Sequence, residues 1–338
     1  MVDAAFSDTL IGSVLAEFGV ATFDGARRLD SASPNASFWI TAGDQHYLLR
    51  CCRRDPRLER LRCLSDVQQT LSRLGVPVPR SYAARSGELI VGRAGLLWQC
   101  DEFIAGESYD YANLRHTVEA ARCLGAIHAC AGQIRPASYC GYDQSIELWW
   151  KAPERLLDAT WRIAAGCAER ADLWRDAWSR FAAFAGLVRE WLPWSVYTTL
   201  PTLWTHGDFH GLNMKYRGDR LVAIFDFEFA DLRPRAYDVA FALLMLARQG
   251  RGGYVLRPDR IRCFMQRYQA TTAPLAPAER QSIPAMMLIS QLPDYGYLMT
   301  LARHKGAAEV DRAVQYWLSV LSAIEAQREM LPGCLDVG

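Results

Sequence analysis

The sequence predicts an α+β fold with a strand-rich first part and a helix-rich second part. Up to residue 101, short apolar segments typical of strands are bounded by glycine and proline turns. From Tyr109 onward, apolar residues recur mostly at helical spacing. Runs of strands followed by runs of helices are typical of α+β proteins with two lobes. We therefore place a first lobe at residues 1–101, a hinge at 102–106 and a helical lobe at 107–338.

The first lobe is predicted to be a mostly antiparallel sheet with a helix inserted between its strands. Apolar residues at helical spacing predict helices over residues 7–18 and 55–74, and a glycine follows each. The segment GVPVP at residues 75–79 must be extended, because proline disfavours helix in itself and in its predecessor. The predicted strands are residues 37–41, 46–51, 88–91 and 96–104.

The second lobe is predicted to be mainly helical, with helices over residues 118–129, 237–247, 257–270, 277–305 and 307–331. Seven of the eleven tryptophans lie between Ile146 and Trp194. Aromatic residues at helical spacing are more often core than ligand contacts, so we expect them to pack inside the lobe. The apolar run 221–225 interrupts the helices and predicts one buried strand.

Composition excludes several classes of function. The chain has 38 basic and 37 acidic residues and a formal charge of +1, so it lacks the basic character of a nucleic-acid-binding protein. Its ten cysteines are scattered and form no CxxC pair, which gives a zinc site little support. There is neither a basic leader with an apolar core nor an apolar stretch long enough to span a membrane. These features predict a cytoplasmic protein with reduced thiols.

Residues 204–240 carry the residues on which a functional prediction depends. Asp208 and Asn213 are five residues apart, and Asp226 directly follows the apolar run 221–225. An acid at the end of a buried strand is placed at a mouth rather than in a core. Carboxylates and an amide supply hard oxygen ligands for magnesium and a base for a hydroxyl nucleophile. The stretch therefore predicts phosphoryl transfer from a magnesium–triphosphate.

Two motifs in this stretch carry a resemblance to a known family. His206-Gly207-Asp208 with Asn213, followed by Asp226-Phe227-Glu228, resembles the aminoglycoside phosphotransferase and choline kinase family, and also the type II homoserine kinases. The resemblance implies a bilobal, protein-kinase-like fold. Its N-terminal lobe would be a small antiparallel sheet with one helix, and its larger C-terminal lobe would be mainly helical. It also implies that residues 204–240 form the catalytic loop and that ATP and Mg²⁺ are the cofactors.

The resemblance assigns roles within the catalytic loop. Asp208 matches the catalytic base, and Asn213 and Asp226 match the magnesium ligands. His206 and Asp238 match structural residues of the loop, with Asp238 expected as the N-cap of the following helix. We assign no chemical role to His210.

Glu228 stays open between two interpretations. A carboxylate two residues after a metal ligand can face the acceptor or a second magnesium ion, but a glutamate at a strand edge can equally be solvated.

In the first lobe the resemblance implies a nucleotide site. Arg50 lies where the family carries a lysine or arginine against the α- and β-phosphates. Whether Glu59 or Asp66 on the following helix pairs with it stays open. The turn around Asn35 would cover the phosphates through backbone N–H groups. Backbone groups of the hinge would read the purine, which leaves GTP open besides ATP. The remaining implied ATP-binding residues are Ser37, Phe38, Glu102, Phe103, Ile104 and Phe225.

The predicted function is ATP- and Mg²⁺-dependent phosphorylation of a hydroxyl on a small molecule. We expect a cationic or zwitterionic acceptor: an aminoglycoside, an amino alcohol related to choline or ethanolamine, or homoserine. Neither nucleic acid nor a membrane is expected as a partner, and the oligomeric state stays open. The alternatives are a bacterial stress-type Ser/Thr protein kinase and a non-catalytic nucleotide-binding member of the fold.

Overall fold

The computed structural model describes residues 6–29, 33–142, 146–167 and 171–337. Contacts within the chain divide it into two units. We call residues 1–106, 134–140 and 223–225 the sheet unit, and residues 107–133, 141–222 and 226–338 the helical unit.

The sheet unit is built on five antiparallel strands in the order β1-β2-β3-β5-β4, which confirms the predicted sheet. The sequence prediction missed the first strand, whose two arginines give it no apolar alternation. The strands are β1 Gly25–Leu29, β2 Ala36–Ala42, β3 Gln45–Cys52, β4 Ile90–Arg93 and β5 Leu96–Glu102.

Helix α1 (Asp8–Glu17) covers one face of this sheet. It begins where the Ser7 hydroxyl accepts the Leu10 N–H at 3.2 Å. Its buried stripe of Ile11, Val14 and Leu15 packs in one core with the alternate residues of β2, β3 and β5. Those residues include Ala36, Phe38, Ile40, Leu49, Trp98 and Cys100.

Helix α2 (Leu58–Arg73) lies on the sequence between β3 and β4, as predicted, but it begins three residues later. The Asp55 carboxylate accepts the backbone N–H of Arg57 at 3.2 Å and its side chain at 2.8 Å. This local turn encloses Pro56 and holds the chain out of helical geometry before Leu58.

The helical unit contains the remaining eleven α-helices of the residues that the structure describes. They are α3 Leu114–Cys130, α4 Leu148–Lys151, α5 Pro153–Cys167, α6 Ala171–Trp191, α7 Trp194–Tyr197, α8 Arg235–Leu246, α9 Pro258–Thr271, α10 Pro277–Ile289, α11 Tyr295–His304, α12 Ala307–Ala326 and α13 Pro332–Leu335. Every residue of α8 is buried, as expected for a helix that is apolar all round and packs in the centre of its unit.

Two predictions for this unit are wrong. Residues 277–305 form two helices, because Pro293 cannot continue a helix and the Asp294 carboxylate begins the next one by accepting the Tyr297 N–H at 2.8 Å. The tryptophan-rich segment is also less buried than expected. Trp149 and Trp174 are buried, but Trp161 is 37% exposed and the other four are half-buried.

Two small sheets carry the catalytic stretch. Strand β6 (Thr202–Thr205) pairs antiparallel with β9 (Asp231–Pro234), and β7 (Met214–Arg217) pairs with β8 (Arg220–Ile224). In the described residues, no helix is both long and apolar enough to cross a membrane. The cysteines described there are free, and burial raises the pKa of the Cys51 thiol to about 11, so it acts as a packing group.

Candidate active site

The catalytic loop begins where β6 ends and turns at Gly207. This glycine has a φ of 80°, and a Cβ atom placed on it would lie 2.2 Å from the Phe229 carbonyl oxygen. Only glycine fits this approach without displacing the backbone of residues 227–229. The turn directs the chain from the buried His206 to the half-buried Asp208.

The Asp238 carboxylate holds the start of this loop through backbone hydrogen bonds. It accepts the backbone N–H of His206 at 2.6 Å and that of Gly207 at 2.8 Å, and it lies 3.2 Å from His128 Nε2. Burial alone would raise the pKa of the Asp238 carboxyl, but the hydrogen bonds and the charge of His128 hold it below its ordinary value. The N-cap prediction for Asp238 is wrong: it lies in the first turn of α8, and Pro234 occupies the N-cap.

His206 contacts the loop rather than solvent. Its Nδ1 accepts the Asp208 backbone N–H at 3.2 Å, and its ring lies 4.4 Å from the Phe227 ring. Burial lowers the pKa of His206 against the opposing effect of Asp238, so the ring is neutral at pH 7. A neutral, buried acceptor is suited to holding the loop.

The Asp208 carboxylate is held between two neighbours from its own loop. Asn213 Nδ2 donates to Asp208 Oδ2 at 3.0 Å and to its backbone oxygen at 3.0 Å. His210 Nε2 lies 3.2 Å from the same Oδ2 atom. Two contacts on one oxygen restrict the rotation of the carboxylate.

His210 is a second neighbour of the Asp208 carboxylate, and the sequence analysis assigned it no chemical role. Its Nδ1 accepts the Leu212 N–H at 3.1 Å, which orients Nε2 toward Asp208. Burial alone would lower the pKa of His210, but the Asp208 carboxylate raises it through charge and a hydrogen bond. The next residue, Gly211, packs so closely that an added Cβ would lie 2.6 Å from Tyr109 Cβ. The sequence signal that could have identified His210 is a second histidine two residues after Asp208.

Asp226 follows β8 in a left-handed backbone conformation, with φ 70° and ψ 61°. Such a conformation is uncommon for a residue with a side chain and is retained mostly where function requires it. The charges of both Asp226 and Asp208 act on the rings of His206 and His210. The structure thus brings Asp208, Asn213 and Asp226 into one neighbourhood.

The donor set of these residues fits a magnesium ion. Asn213 Nδ2 donates its hydrogen bonds to Asp208. Within the described residues, Asn213 Oδ1 accepts no hydrogen bond. An amide oxygen and the Asp226 carboxylate are hard oxygen ligands of the type that Mg²⁺ takes.

The sheet unit brings Arg50 and Ser37 together. They are opposite each other in β3 and β2, and Gln99 of β5 is opposite Arg50, so all three side chains share one face. Asp101 lies on that face too. The charge of Arg50 lowers the pKa of the Asp101 carboxyl, although burial raises it more. Of the two helix acids, Asp66 accepts the Ala137 N–H at 2.9 Å, and Glu59 is exposed.

Phe38 does not join this face. It alternates with Ser37 along β2, and its ring packs 5.3 Å from Phe6 in the core under α1. Asn35 is buried, and its Oδ1 accepts the N–H groups of Arg53 at 2.8 Å and Arg54 at 2.9 Å. Asn35 therefore shapes the turn that precedes β2 through its side chain.

The hinge residues occupy the end of β5. The Glu102 N–H donates to the Arg80 carbonyl at 2.8 Å, and the Phe103 ring stacks on Trp39 at 5.3 Å. Ile104 and Phe225 are half-buried. The segment before Asp226 is fixed by the Ile224 N–H, which donates to the Pro77 carbonyl at 2.7 Å.

Three acidic side chains of the helical unit, which could contact an ammonium group of an acceptor, differ in their surroundings. Glu228 is half-buried in the single helical turn Phe227–Phe229 that follows Asp226. Asp294 is half-buried at the start of α11. Glu309, in contrast, forms an exposed ion pair with Arg312 on α12 and resembles an ordinary helix surface.

Comparison with known proteins agrees with this geometry. Residues 25–275 match the phosphotransferase enzyme family. The homoserine kinase of Parvibaculum lavamentivorans (strain DS-1) is 23% identical over 279 residues, which cover 82% of this chain and 81% of that protein. These relatives confirm the family resemblance.

Solved structures confirm the α+β, kinase-like fold. A microcompartment-associated aminopropanol kinase has a TM-score of 0.72 at 18% identity, covering 96% of this chain and 98% of its own. An amicoumacin kinase in complex with AMP-PNP, Ca²⁺ and Ami has a TM-score of 0.68 at 16% identity, covering 94% and 95%. Because the family match spans well over half of its length, the chain belongs to the phosphotransferase enzyme family and is a small-molecule kinase.

Proposed function

We propose that this kinase transfers the γ-phosphoryl group of ATP to a hydroxyl of a small cationic or zwitterionic acceptor. The observation that carries the proposal is the Asp208 carboxylate, held on one oxygen by Asn213 and His210 beside the carboxylate of Asp226. A fixed acid beside hard oxygen ligands is the arrangement that phosphoryl transfer to an alcohol requires.

In this proposal Asp208 orients the acceptor hydroxyl and accepts its proton as the new O–P bond forms and the bond to ADP breaks. Asn213 Oδ1 and the Asp226 carboxylate hold Mg²⁺, which when bound neutralises charge on the triphosphate oxygens. Arg50, with Ser37 beside it in the sheet, donates to phosphate oxygens as a planar fork. Backbone groups of residues 102–104 contact the purine.

The acceptor class is supported by the relatives and by the acids of the helical unit. The relatives are named for homoserine and the structural neighbours for aminopropanol and amicoumacin. Glu228 and Asp294 are half-buried carboxylates that can meet an ammonium group. The charge of Asp294 acts on the same Tyr237 hydroxyl as that of Asp208, which favours Asp294 as the ammonium contact.

Substitution Asp208→Asn tests the proposal. It keeps the size of the side chain and its contact with Asn213 but removes the base, so kcat is expected to fall by about a thousandfold or more. The dissociation constant for ATP is expected to stay within about threefold of the wild-type value, because Asp208 does not contact the purine or hold the metal. Turnover near the wild-type rate in a panel of hydroxylated acceptors would overturn the mechanism.

A further inference from the structure

Arg233 in β9 is a buried cation that makes no hydrogen bond and no ion pair with any residue in the described ranges. Only 6% of its surface is exposed, and its guanidinium lies 5.0 Å from the centre of the Tyr237 ring. A guanidinium carries several N–H donors, and burying them without acceptors is strongly unfavourable. Because no described residue accepts a hydrogen bond from it, the Arg233 guanidinium is left to solvent or to a bound group.

Two other buried arginines of the helical unit form hydrogen bonds with several acceptors of the fold. Arg235, two residues later, pairs with both oxygens of Glu279 at 2.6 and 2.8 Å and donates to two backbone carbonyls. Arg260 donates to the hydroxyls of Tyr109 and Thr117 and to the Tyr111 carbonyl. Each of these two guanidinium groups has several hydrogen-bond acceptors in the fold, although Arg260 Nε has none, whereas Arg233 has no acceptor in the described residues.

The charged groups around Arg233 are already engaged. Asp238 accepts the loop N–H groups and contacts His128. Asp231 accepts the Tyr142 N–H at 3.1 Å and the Leu232 N–H at 2.9 Å. Burial alone would lower the pKa of Arg233, but Tyr237 and, at longer range, both carboxylates raise it above its ordinary value. Neither forms an ion pair with it.

Arg233 also lies close to the turn that carries Asp208. In the β6–β9 pair it is opposite Leu203, while Asp231 is opposite Thr205, the residue before His206. Contacts also connect this strand to Asp294. Asp231 accepts the Tyr142 N–H at 3.1 Å, and a Cβ on Gly296 would lie 3.9 Å from the Tyr142 hydroxyl and 3.3 Å from Asp294 Oδ1.

Building on the proposed function, we propose that Arg233 binds a carboxylate of the acceptor, so that the phosphorylated compound is a hydroxylated amino acid. A guanidinium fork binds a carboxylate through two parallel hydrogen bonds, which would satisfy the donors that the fold leaves open. Asp294 then contacts the ammonium group of the same zwitterion. Choline, ethanolamine and aminoglycosides lack the carboxylate and are poorer acceptors.

Acceptor pairs that differ only in a carboxylate test this inference. L-Homoserine and 3-amino-1-propanol are one pair, and L-serine and ethanolamine are another. We expect kcat/KM to be about 100-fold higher for the acid of at least one pair, as for a buried charge-assisted contact. Arg233→Met should remove that preference by raising KM for the acid, while kcat/KM for the amino alcohol stays within about threefold.

Two controls keep the outcome clear. Arg233→Lys keeps the charge but loses the fork, so it should raise KM for the acid less than Arg233→Met does, and it serves if Arg233→Met fails to fold. Arg235→Met removes a structural arginine and should lower Tm without changing the ratio between the two members of a pair.

The inference fails if the wild-type enzyme prefers the amino alcohol in both pairs, or if Arg233→Met changes both members equally, as it would if Arg233 binds only ordered water. It also fails if the acids neither bind to nor react with the enzyme. Binding is measured as a thermal shift by L-homoserine with ATP and Mg²⁺ present. A shift that depends on Arg233, without turnover, would contradict the proposed phosphoryl transfer and support the carboxylate site.

Discussion

At the scale of single residues, we propose that His210 is a positioning residue for Asp208. Its Nε2 lies 3.2 Å from Asp208 Oδ2, and its other nitrogen is held by the Leu212 N–H. We expect His210→Gln to lower kcat about tenfold with little change in KM for ATP, because the carboxylate gains rotational freedom. Steady-state kinetics check this. Leu212→Ala, in the same turn and 50% exposed, is the control, and equal kcat values for both variants would contradict the role.

In the proposed mechanism, Asn213 links the base to the metal site. Its Nδ2 donates to Asp208, and its Oδ1 is proposed to bind Mg²⁺. Asn213→Ala should raise the Mg²⁺ concentration for half-maximal activity about tenfold or more, since one oxygen ligand is lost. The measurement is a Mg²⁺ titration of initial rates at saturating nucleotide. An unchanged titration with a reduced maximal rate would restrict Asn213 to orienting Asp208.

At the scale of elements, a comparison of Gly207 with Gly218 separates the cost of a left-handed backbone conformation from the cost of close packing. Both have positive φ values, 80° and 56°, but a Cβ atom on Gly218 would meet nothing within 4 Å. Gly218→Ala should cost about 1 kcal/mol for the left-handed conformation alone. Gly207→Ala should cost about 3 kcal/mol or more, because it also displaces the Phe229 carbonyl. Urea unfolding compares the two, and equal losses would contradict the packing argument.

Element predictions succeeded where periodicity and turn residues agree. The hairpin of β2 and β3 was predicted nearly to the residue, because an alternating pattern flanks the turn at Gly43. The single helix predicted over residues 277–305 failed, because the apolar spacing on both sides of Pro293 is in phase and masks the break. Strand β1 carries its stability through pairing with β2, which leaves no apolar pattern to detect.

The candidate site was predictable only in part, because only some of its residues are close together in the sequence. Asp208, Asn213 and Asp226 lie in one short stretch with fixed spacing, so the sequence alone groups them. His128 and Asp238 are 110 residues apart, and their contact depends on how α3 and α8 pack. Phe38 and Ser37 are neighbours in sequence, yet strand alternation places their side chains on opposite faces.

At the scale of the whole molecule, Asp238 connects elements that are distant in sequence. Its carboxylate binds the loop after β6 and His128 of α3, whose Nδ1 in turn lies 2.8 Å from the Tyr268 hydroxyl of α9. Replacing it by asparagine leaves two donors facing each other in a buried site. We expect Asp238→Asn to lower the free energy of unfolding by about 3–5 kcal/mol at pH 7.

This stabilisation should depend on pH in one direction. The pKa of Asp238 is lower in the folded state than the unfolded value of about 3.9, so its contribution is fully present above that pH. It is lost as pH falls through the folded-state pKa. Urea unfolding of the wild type and Asp238→Asn at pH 7 and pH 3.5 checks this. The difference should shrink at pH 3.5, and a constant difference would assign the effect to packing instead.

The way in which Asp238 holds the catalytic loop has a consequence for evolution and design. It binds the backbone N–H groups of residues 206 and 207, which every residue but proline provides, while Asn213 and His210 orient the Asp208 side chain. Residues such as Leu212, Glu228 and Arg233 are then open to mutation without dismantling the reaction centre. New acceptor preferences can arise by drift at these positions, and a library for new kinases would vary them while keeping Gly207 and Asp238 constant.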